Sequence, residues 1–318
     1  MHYLQSILIS VLTFQTLYAD ADFSQWLSEL RTDASSQGIH EKTFDGALPL
    51  LQLNERVNQL EKKQPEFTQT LNGYLDQRIT SQRIATARTL LADNKSLLDS
   101  ISATYGVNPR IIVALWGMES NFGRYMGSFS VLSSLTTLAY SSRRGDYFRR
   151  ELLAALETVQ AGHAQPEEML GSWAGAMGQC QFMPWNYKQY AVDFDGDGRR
   201  DIWHNTEDAL ASIANFLRAL GWNERGTWGR PVLLPPHFDT SLTNGKTAKT
   251  LAHWNAMGVR RLNNQELPTN PIQARLLIPN RSGGRAYLIY DNFDAIMKWN
   301  RSHFFAIATG TLSDQLRE

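Results

Sequence analysis

Along most of the chain the apolar residues recur every three or four positions, the spacing that gathers them on one face of an α-helix. Phe23, Trp26, Leu27 and Leu30 follow this spacing, and so do Leu50, Leu53, Val57 and Leu60, so the stretch from Phe23 to about Ser100 reads as helices. Asn108-Pro109 marks a helix start, because Asn can cap free amides and Pro is tolerated in a first turn. Further helices are predicted over 128–140, 146–160, 184–191 and 206–220. The last carries Leu210, Ile213, Ala214 and Leu217 on one stripe and stops at Gly221. From residue 222 the pattern changes. Gly226, Gly229, Pro231, Pro235, Pro236, Gly245 and Gly258 interrupt any long helix, and 231–234, 274–278 and 286–290 are short strand candidates. A final helix is predicted over about 293–309. The expected fold class is mainly α (α+β). It comprises a helical subdomain at 22–108, a helical core at 109–222, a small β-rich insertion at 223–290 and a C-terminal helix at 291–318, in one composite unit.

The N-terminus departs from amphipathic spacing. Residues 7–18, ILISVLTFQTLY, form an apolar run too short for a comfortable membrane span, and Ala19-Asp20-Ala21 has the small-residue form of a signal-peptidase site. The segment before the run carries neither Lys nor Arg, and a buried N-terminal helix is the competing reading. The expectation is a signal peptide over 1–21 and an exported, soluble periplasmic protein. With no Cys near the cleavage site, lipid attachment is not expected.

Composition narrows the function classes. The 31 basic residues equal the 31 acidic ones, so the surplus typical of phosphate-backbone binding is missing and nucleic acid is not an expected partner. Cys180 is the sole cysteine among 318 residues, which excludes an intrachain disulfide and any Cys-based zinc or iron–sulfur site. Nothing points to an organic cofactor.

Two places carry candidate chemistry. In Arg110–Gly123, RIIVALWGMESNFG, the residues Ile112, Leu115, Trp116 and Glu119 share one helical face, making Glu119 the polar member of an apolar stripe. A carboxyl among Trp, Leu and Phe is poorly solvated, holds its proton more tightly, and can act as a general acid near neutral pH. The bland alternative is a surface Glu at a fraying helix end. The second place is Asp193-Phe-Asp195-Gly-Asp197-Gly198, which has the D-x-D-x-D-G opening of a calcium loop. Arg199 would add its backbone carbonyl at position 7. Position 12, where such loops place Glu, is His204, so this is not a standard sensor loop. An ion-free loop rich in Asx turns is the alternative.

Four stretches occur in an order that resembles the MltB family of lytic murein transglycosylases, glycoside hydrolase family 103. They are ALWGMESNFGRYMG at 114–127, SSRRGDYFRREL at 141–152, SWAGAMGQCQFMPWNYKQYAVDFDGDGRRDIW at 172–203 and DNFDAIMKWNRSHFFAIA at 291–308. The resemblance implies a lysozyme-like helical catalytic core, peptidoglycan glycan strands as partner, and cleavage between N-acetylmuramic acid and N-acetylglucosamine with formation of a 1,6-anhydro end. It implies Glu119 as the sole catalytic acid and base. Ser172, Met177, Gln179, Gln181, Phe182, Asn292, Asn300, Arg301 and Ser302 are implied as substrate-binding. It also implies a structural Ca²⁺ held by Asp193, Asp195, Asp197, Arg199 and a last ligand at Asp208, with Glu207 as the other choice. Phe182, Trp185 and Tyr187 can stack on sugars or pack in a core. The family usually carries Tyr three residues after Ser302, where this chain has Phe305.

Overall fold

The computed structural model describes residues 21–63, 69–279 and 284–317. The expected signal peptide lies, but for its last residue, outside the described residues. No helix among the described residues is long and apolar enough to cross a membrane. The described residues divide into two compact units, those of 1–65 with 126–189 and those of 66–125 with 190–318, so the 22–108 stretch contributes to both.

The first unit is helical. A helix over 21–36 places Phe23 and Trp26 edge-on to Tyr140, with ring centroids 5.2 and 5.7 Å away. Val131–Ser141 packs along Gly145–Gln160, the helices expected over 128–140 and 146–160, and both bury an apolar face. The expected stripe Leu50–Leu53–Val57–Leu60 is not one helix. Asn54 interrupts it: its side chain caps the Glu55–Lys62 helix by accepting from the Arg56 and Val57 amides, and Leu53 is left 43% exposed. Such a cap is worth about 1 kcal/mol and fixes where the helix can begin. Two short antiparallel strands, β1 (Phe129–Ser130) and β2 (Leu170–Gly171), close the unit's loop region. They pack so closely that a Cβ on Gly127, at φ 94°, would lie 2.0 Å from the Gly171 carbonyl oxygen.

The second unit is built around the Pro109–Ser120 helix. Asn108 caps it through the Arg110 amide, as the sequence predicts, and Ser81–Asp93, Thr206–Ala219 and His303–Asp314 pack against it. The single C-terminal helix expected over 293–309 is instead two, Asp291–Trp299 and His303–Asp314. Asn300 turns to extended backbone and Ser302 caps the second helix through the Phe305 amide, so the polar Asn-Arg-Ser triplet supplies the stop and the restart.

A five-stranded antiparallel sheet belongs to the same unit. The strands β3 (Gly229–Leu233), β4 (Asn244–Thr250), β5 (Arg260–Arg261), β6 (Gln273–Leu277) and β7 (Ala286–Ile289) lie in the order β4-β6-β7-β3-β5. The three strand candidates are the three inner strands. β4 and β5 were not legible as strands because they are edges, with NGKTAKT and RR showing no apolar alternation. Val232, Leu251, Trp254, Val259, Leu276 and Leu288 form the core of this region.

Candidate active site

Glu119 is the one partly exposed residue in a run, Ile111–Ser120, that is otherwise buried. The helix ends directly beyond it in a tight reversal. Asn121, Phe122 and Gly123 take φ values of 51°, 62° and 77°, a left-handed run that costs free energy at the two non-glycine positions. Several contacts hold the reversal. The Ser120 hydroxyl accepts from the Gly123 amide at 2.9 Å, Phe122 folds back to place its ring 5.6 Å from Trp116, and Arg83 donates to Asn121 Oδ1 at 3.4 Å. Gly117 makes room for the returning ring, since a Cβ there would meet Phe122 at 2.6 Å. The strained turn therefore sits immediately next to the carboxyl it positions.

Burial is the main influence on that carboxyl. It raises the Glu119 pKa to about 7, against the lowering effects of a hydrogen bond from Trp299 and the positive charge of Arg78. The Trp299 indole N–H donates to Oε1 at 2.7 Å, which leaves Oε2 without a protein partner among the described residues. Trp299 is itself held by Phe216, ring centroids 4.9 Å apart, and Phe216 stacks on Tyr190 at 4.4 Å. Tyr74 lies within the field of Glu119, and its pKa is raised chiefly by burial. Arg78 stands over the Tyr74 ring at 5.5 Å. Trp299, Tyr74, Arg78 and Arg83 escaped the sequence reading. Only Trp299 carried a usable signal, as the residue directly before Asn300.

The other sequence-predicted residues of this unit behave differently from one another. Asn292 is 1% exposed and uses both ends of its amide on the backbone of Asn223, accepting at 2.7 Å and donating at 2.9 Å. This pair of bonds ties Asn292 to the 221–226 loop. Asn300 and Ser302 are half-buried in the break between the two helices, and Arg301 is exposed.

In the first unit, Ser172–Phe182 is a folded loop. The Ser172 hydroxyl accepts from the Ala174 and Ala176 amides at 3.3 and 3.0 Å, which leaves its proton free to donate. Gln181 sits at φ 51° and gives its Nε2 to the carbonyls of Met126 and Gly178, at 3.0 and 2.9 Å. Its Oε1 has no donor among the described residues. Met177 and Phe182 are 0% and 2% exposed and pair through their backbones, while Gln179 is 5% exposed. All three are packed within the loop. Tyr187 is also core, at 1%, whereas Trp185 is 39% exposed and flanked by Arg150 and Lys188.

The Asp loop gathers three of its four expected carboxylates. Asp193, Asp195 and Asp197 each offer an oxygen within 4.8 Å of the others, and all three are exposed. The loop is pre-shaped: Asp193 accepts from the Gly196, Asp197 and Gly198 amides, at 2.8, 3.1 and 2.9 Å, and Asn205 donates to Asp195 at 2.8 Å. Asp208 lies outside this group. It is fully buried, and its two oxygens accept from the Phe194 and Asp201 amides at 2.7 Å each, pinning the loop to the Thr206–Ala219 helix. Burial raises its pKa to about 6, and the charges of Asp195 and Asp193 add to that against the two amides. The clustered hard oxygens and the turn at Gly196 and Gly198 suit a calcium-sized cation.

Comparison with known proteins bears on all of this. The transglycosylase SLT domain model matches residues 22–314. Membrane-bound lytic murein transglycosylase B of Escherichia coli K12 is 39% identical over 212 residues, which cover 65% of this chain. The chain spans little more than half, 56%, of that relative's length. SltB3 from Pseudomonas aeruginosa, solved in complex with NAG-anhNAM-pentapeptide and with NAG-NAM-pentapeptide, is 44% identical with a TM-score of 0.89, over 92% of this chain and 79% of its own. Escherichia coli Slt35, solved in complex with calcium, is 30% identical with a TM-score of 0.78, over 92% of each chain. The mainly helical, lysozyme-like fold and the family resemblance of the four stretches are thereby confirmed, and the chain belongs to the transglycosylase SLT domain family, among its MltB-type lytic transglycosylases.

Proposed function

We propose that the protein is a lytic transglycosylase that cleaves the MurNAc-(β1,4)-GlcNAc bond of peptidoglycan and leaves 1,6-anhydro-MurNAc ends. The observation that carries the reading is Glu119: a carboxyl with its pKa raised to about 7, one oxygen held by Trp299 and the other open. A group poised near neutrality can serve as acid and then as base. In the first step, Glu119 Oε2 gives its proton to the glycosidic oxygen as the C1–O bond breaks, and GlcNAc leaves with a new hydroxyl. In the second, the carboxylate takes the proton of the muramic C6 hydroxyl while O6 bonds to C1 of the same sugar. Glu119 ends protonated and no water is consumed. An internal hydroxyl as nucleophile brings the orientation advantage of an intramolecular reaction.

The N-acetyl groups and hydroxyls of the glycan are assigned to Ser172 and Gln181 in the first unit and to Asn300, Arg301 and Ser302 in the second. The free O–H of Ser172 and the free Oε1 of Gln181 support the first pair. That SltB3 binds NAG-NAM and NAG-anhNAM pentapeptides supports the glycan as substrate class. A calcium ion at Asp193, Asp195 and Asp197, with the Arg199 carbonyl, would have a structural role; Asp208 is assigned to anchoring the loop. Export to the periplasm fits both the 7–18 apolar run and the substrate.

The test is mass spectrometry of muropeptides released from purified sacculi. Products one water lighter than hydrolysed ones, and resistant to borohydride, are expected. Reducible ends would make the protein a hydrolase.

A further inference from the structure

We propose that Arg230, Arg261 and Tyr290 form a binding site for a small oxyanion, a carboxylate or a phosphate group, on one face of the five-stranded sheet. Arg230 lies on β3, Arg261 on β5, and Tyr290 directly after β7. Val232 pairs with Arg261, Arg230 pairs with Leu288, and the Tyr290 amide donates to the Trp228 carbonyl at 3.0 Å. Alternate residues of a strand share a face, so the register brings all three side chains to one side. The guanidinium carbon of Arg230 is 5.7 Å from the centre of the Tyr290 ring.

What sets this cluster apart is an excess of donors. Tyr290 is 4% exposed, and its hydroxyl, the Nε of Arg230 and the Nε of Arg261 are all buried without a hydrogen-bond partner. Buried polar groups are normally satisfied, because desolvating a donor without replacing its partner is unfavourable. Neighbouring Arg260 shows the ordinary arrangement, with Nη1 donating to the Asn255 and Val259 carbonyls at 2.7 and 2.9 Å. Among the described residues, neither Arg230 nor Arg261 has an ion pair. Asp314 feels the charge of Arg230, but it is committed elsewhere, to Arg317 at 2.6 Å and to the Trp228 indole at 3.1 Å.

The chemistry of the missing partner follows from this set. Guanidinium groups offer donors only, and two of them add positive charge. Burial raises the Tyr290 pKa against the lowering effects of Arg230, through its charge and by donating toward the hydroxyl, and of the Arg261 charge, so the hydroxyl keeps its own proton to donate at neutral pH. The group that completes three such donors is a multi-acceptor anion, which arginine binds through charge-assisted bonds. Arg230 and Arg261 are each only partly buried, so the cluster reaches solvent through them.

The anion has two sources, a free ion or the carboxylate at the end of a peptide, and the experiment separates them. The full-length protein is titrated at constant ionic strength, in chloride, with inorganic phosphate, with acetate, and with an N-acetylated tripeptide as free acid and as amide. Melting temperature and calorimetry are the readouts. A saturable response is expected to at least one of phosphate, acetate and the peptide acid, weakened at least threefold in Tyr290→Phe and at least tenfold in Arg261→Met. Tyr290→Phe keeps the packed ring, so it decides the matter if the arginine variant does not fold. A tripeptide acid that binds at least tenfold tighter than its amide and than acetate assigns the site to peptide termini; a response to phosphate without that preference assigns it to free ions. No saturable response to any of these, or responses unchanged in Tyr290→Phe, would overturn the proposal.

Discussion

Trp299 donates its indole N–H to Oε1 of Glu119 at 2.7 Å, joining residues 180 positions apart in the chain. The bond favours the ionised carboxylate, whereas burial favours the protonated acid, and burial wins, leaving the pKa at about 7. Replacing Trp299 with Phe removes the donor and keeps an aromatic ring beside Phe216. A hydrogen bond to a charged group contributes about 1.5–3 kcal/mol, and one pKa unit corresponds to about 1.4 kcal/mol. The alkaline limb of the kcat/KM profile is therefore expected to move upward by about one unit. An unmoved limb would mean that the indole does not hold the ionised form.

Glu119→Gln separates catalysis from stability. Gln can still accept from the indole, but it neither delivers nor takes a proton, so turnover should drop by ~10⁴-fold or more, the top of the range for acid–base assistance. Stability should move the other way. The folded pKa of about 7 lies above the reference 4.5. For such a group the stabilising contribution is complete below the unfolded pKa and is lost as pH rises through the folded one. Denaturant melts at pH 8 should show the Gln variant more stable by about 1–3 kcal/mol, a gain that vanishes near pH 4. A variant less stable at pH 8 would contradict the burial of the carboxyl.

How far the sequence could be read depended on the range of the interaction. The helix caps at Asn108, Asn205 and Ser302 are local, and the first was predicted outright. Glu119 was legible because a helical stripe is a short-range pattern. Trp299 was not, since its partner is remote in sequence. That Gln179, Met177 and Phe182 are buried within their loop while Ser172 is partly exposed could not be read from motif membership. Exposure is set by tertiary packing. The same limit applies to Asn292, whose amide serves Asn223. The edge strands β4 and β5 lacked a signal for a different reason, since one of their sides faces no partner strand.

Asp208→Asn probes the anchor of the acidic loop. The two carboxylate oxygens accept separately from Phe194 and Asp201. An amide offers one acceptor, and its NH2 end would face a backbone N–H with nothing to give it. Leaving a buried donor unpaired costs about 1–3 kcal/mol. A lowered melting temperature with the helical circular dichroism retained is the expected result. Relief of the repulsion from Asp193 and Asp195 works in the opposite direction, so a variant as stable as the parent would show that repulsion, not anchoring, dominates at this position.

Calcium should stabilise the protein more than magnesium does. The three exposed carboxylates of Asp193, Asp195 and Asp197 converge within 4.8 Å, an arrangement disfavoured by mutual repulsion unless a cation neutralises it. Calcium accepts many oxygens in flexible geometry, whereas magnesium demands a tight octahedron and gives up its waters reluctantly. A ligand that binds only the folded state stabilises it by about 2.7 kcal/mol at a hundred times its Kd. Thermal melts in calcium, magnesium and chelator should therefore rank calcium highest. Asp193→Ala combined with Asp197→Ala should abolish the difference, because two of the three carboxylates and the cap over the Gly196 and Gly198 amides are then gone. Muropeptide release by that variant should survive at moderate temperature, since Glu119 and Trp299 are untouched and the ion is assigned no step of the reaction. Identical melting curves in calcium and chelator for the parent protein would show that the loop keeps its shape through its own amide bonds and holds no ion.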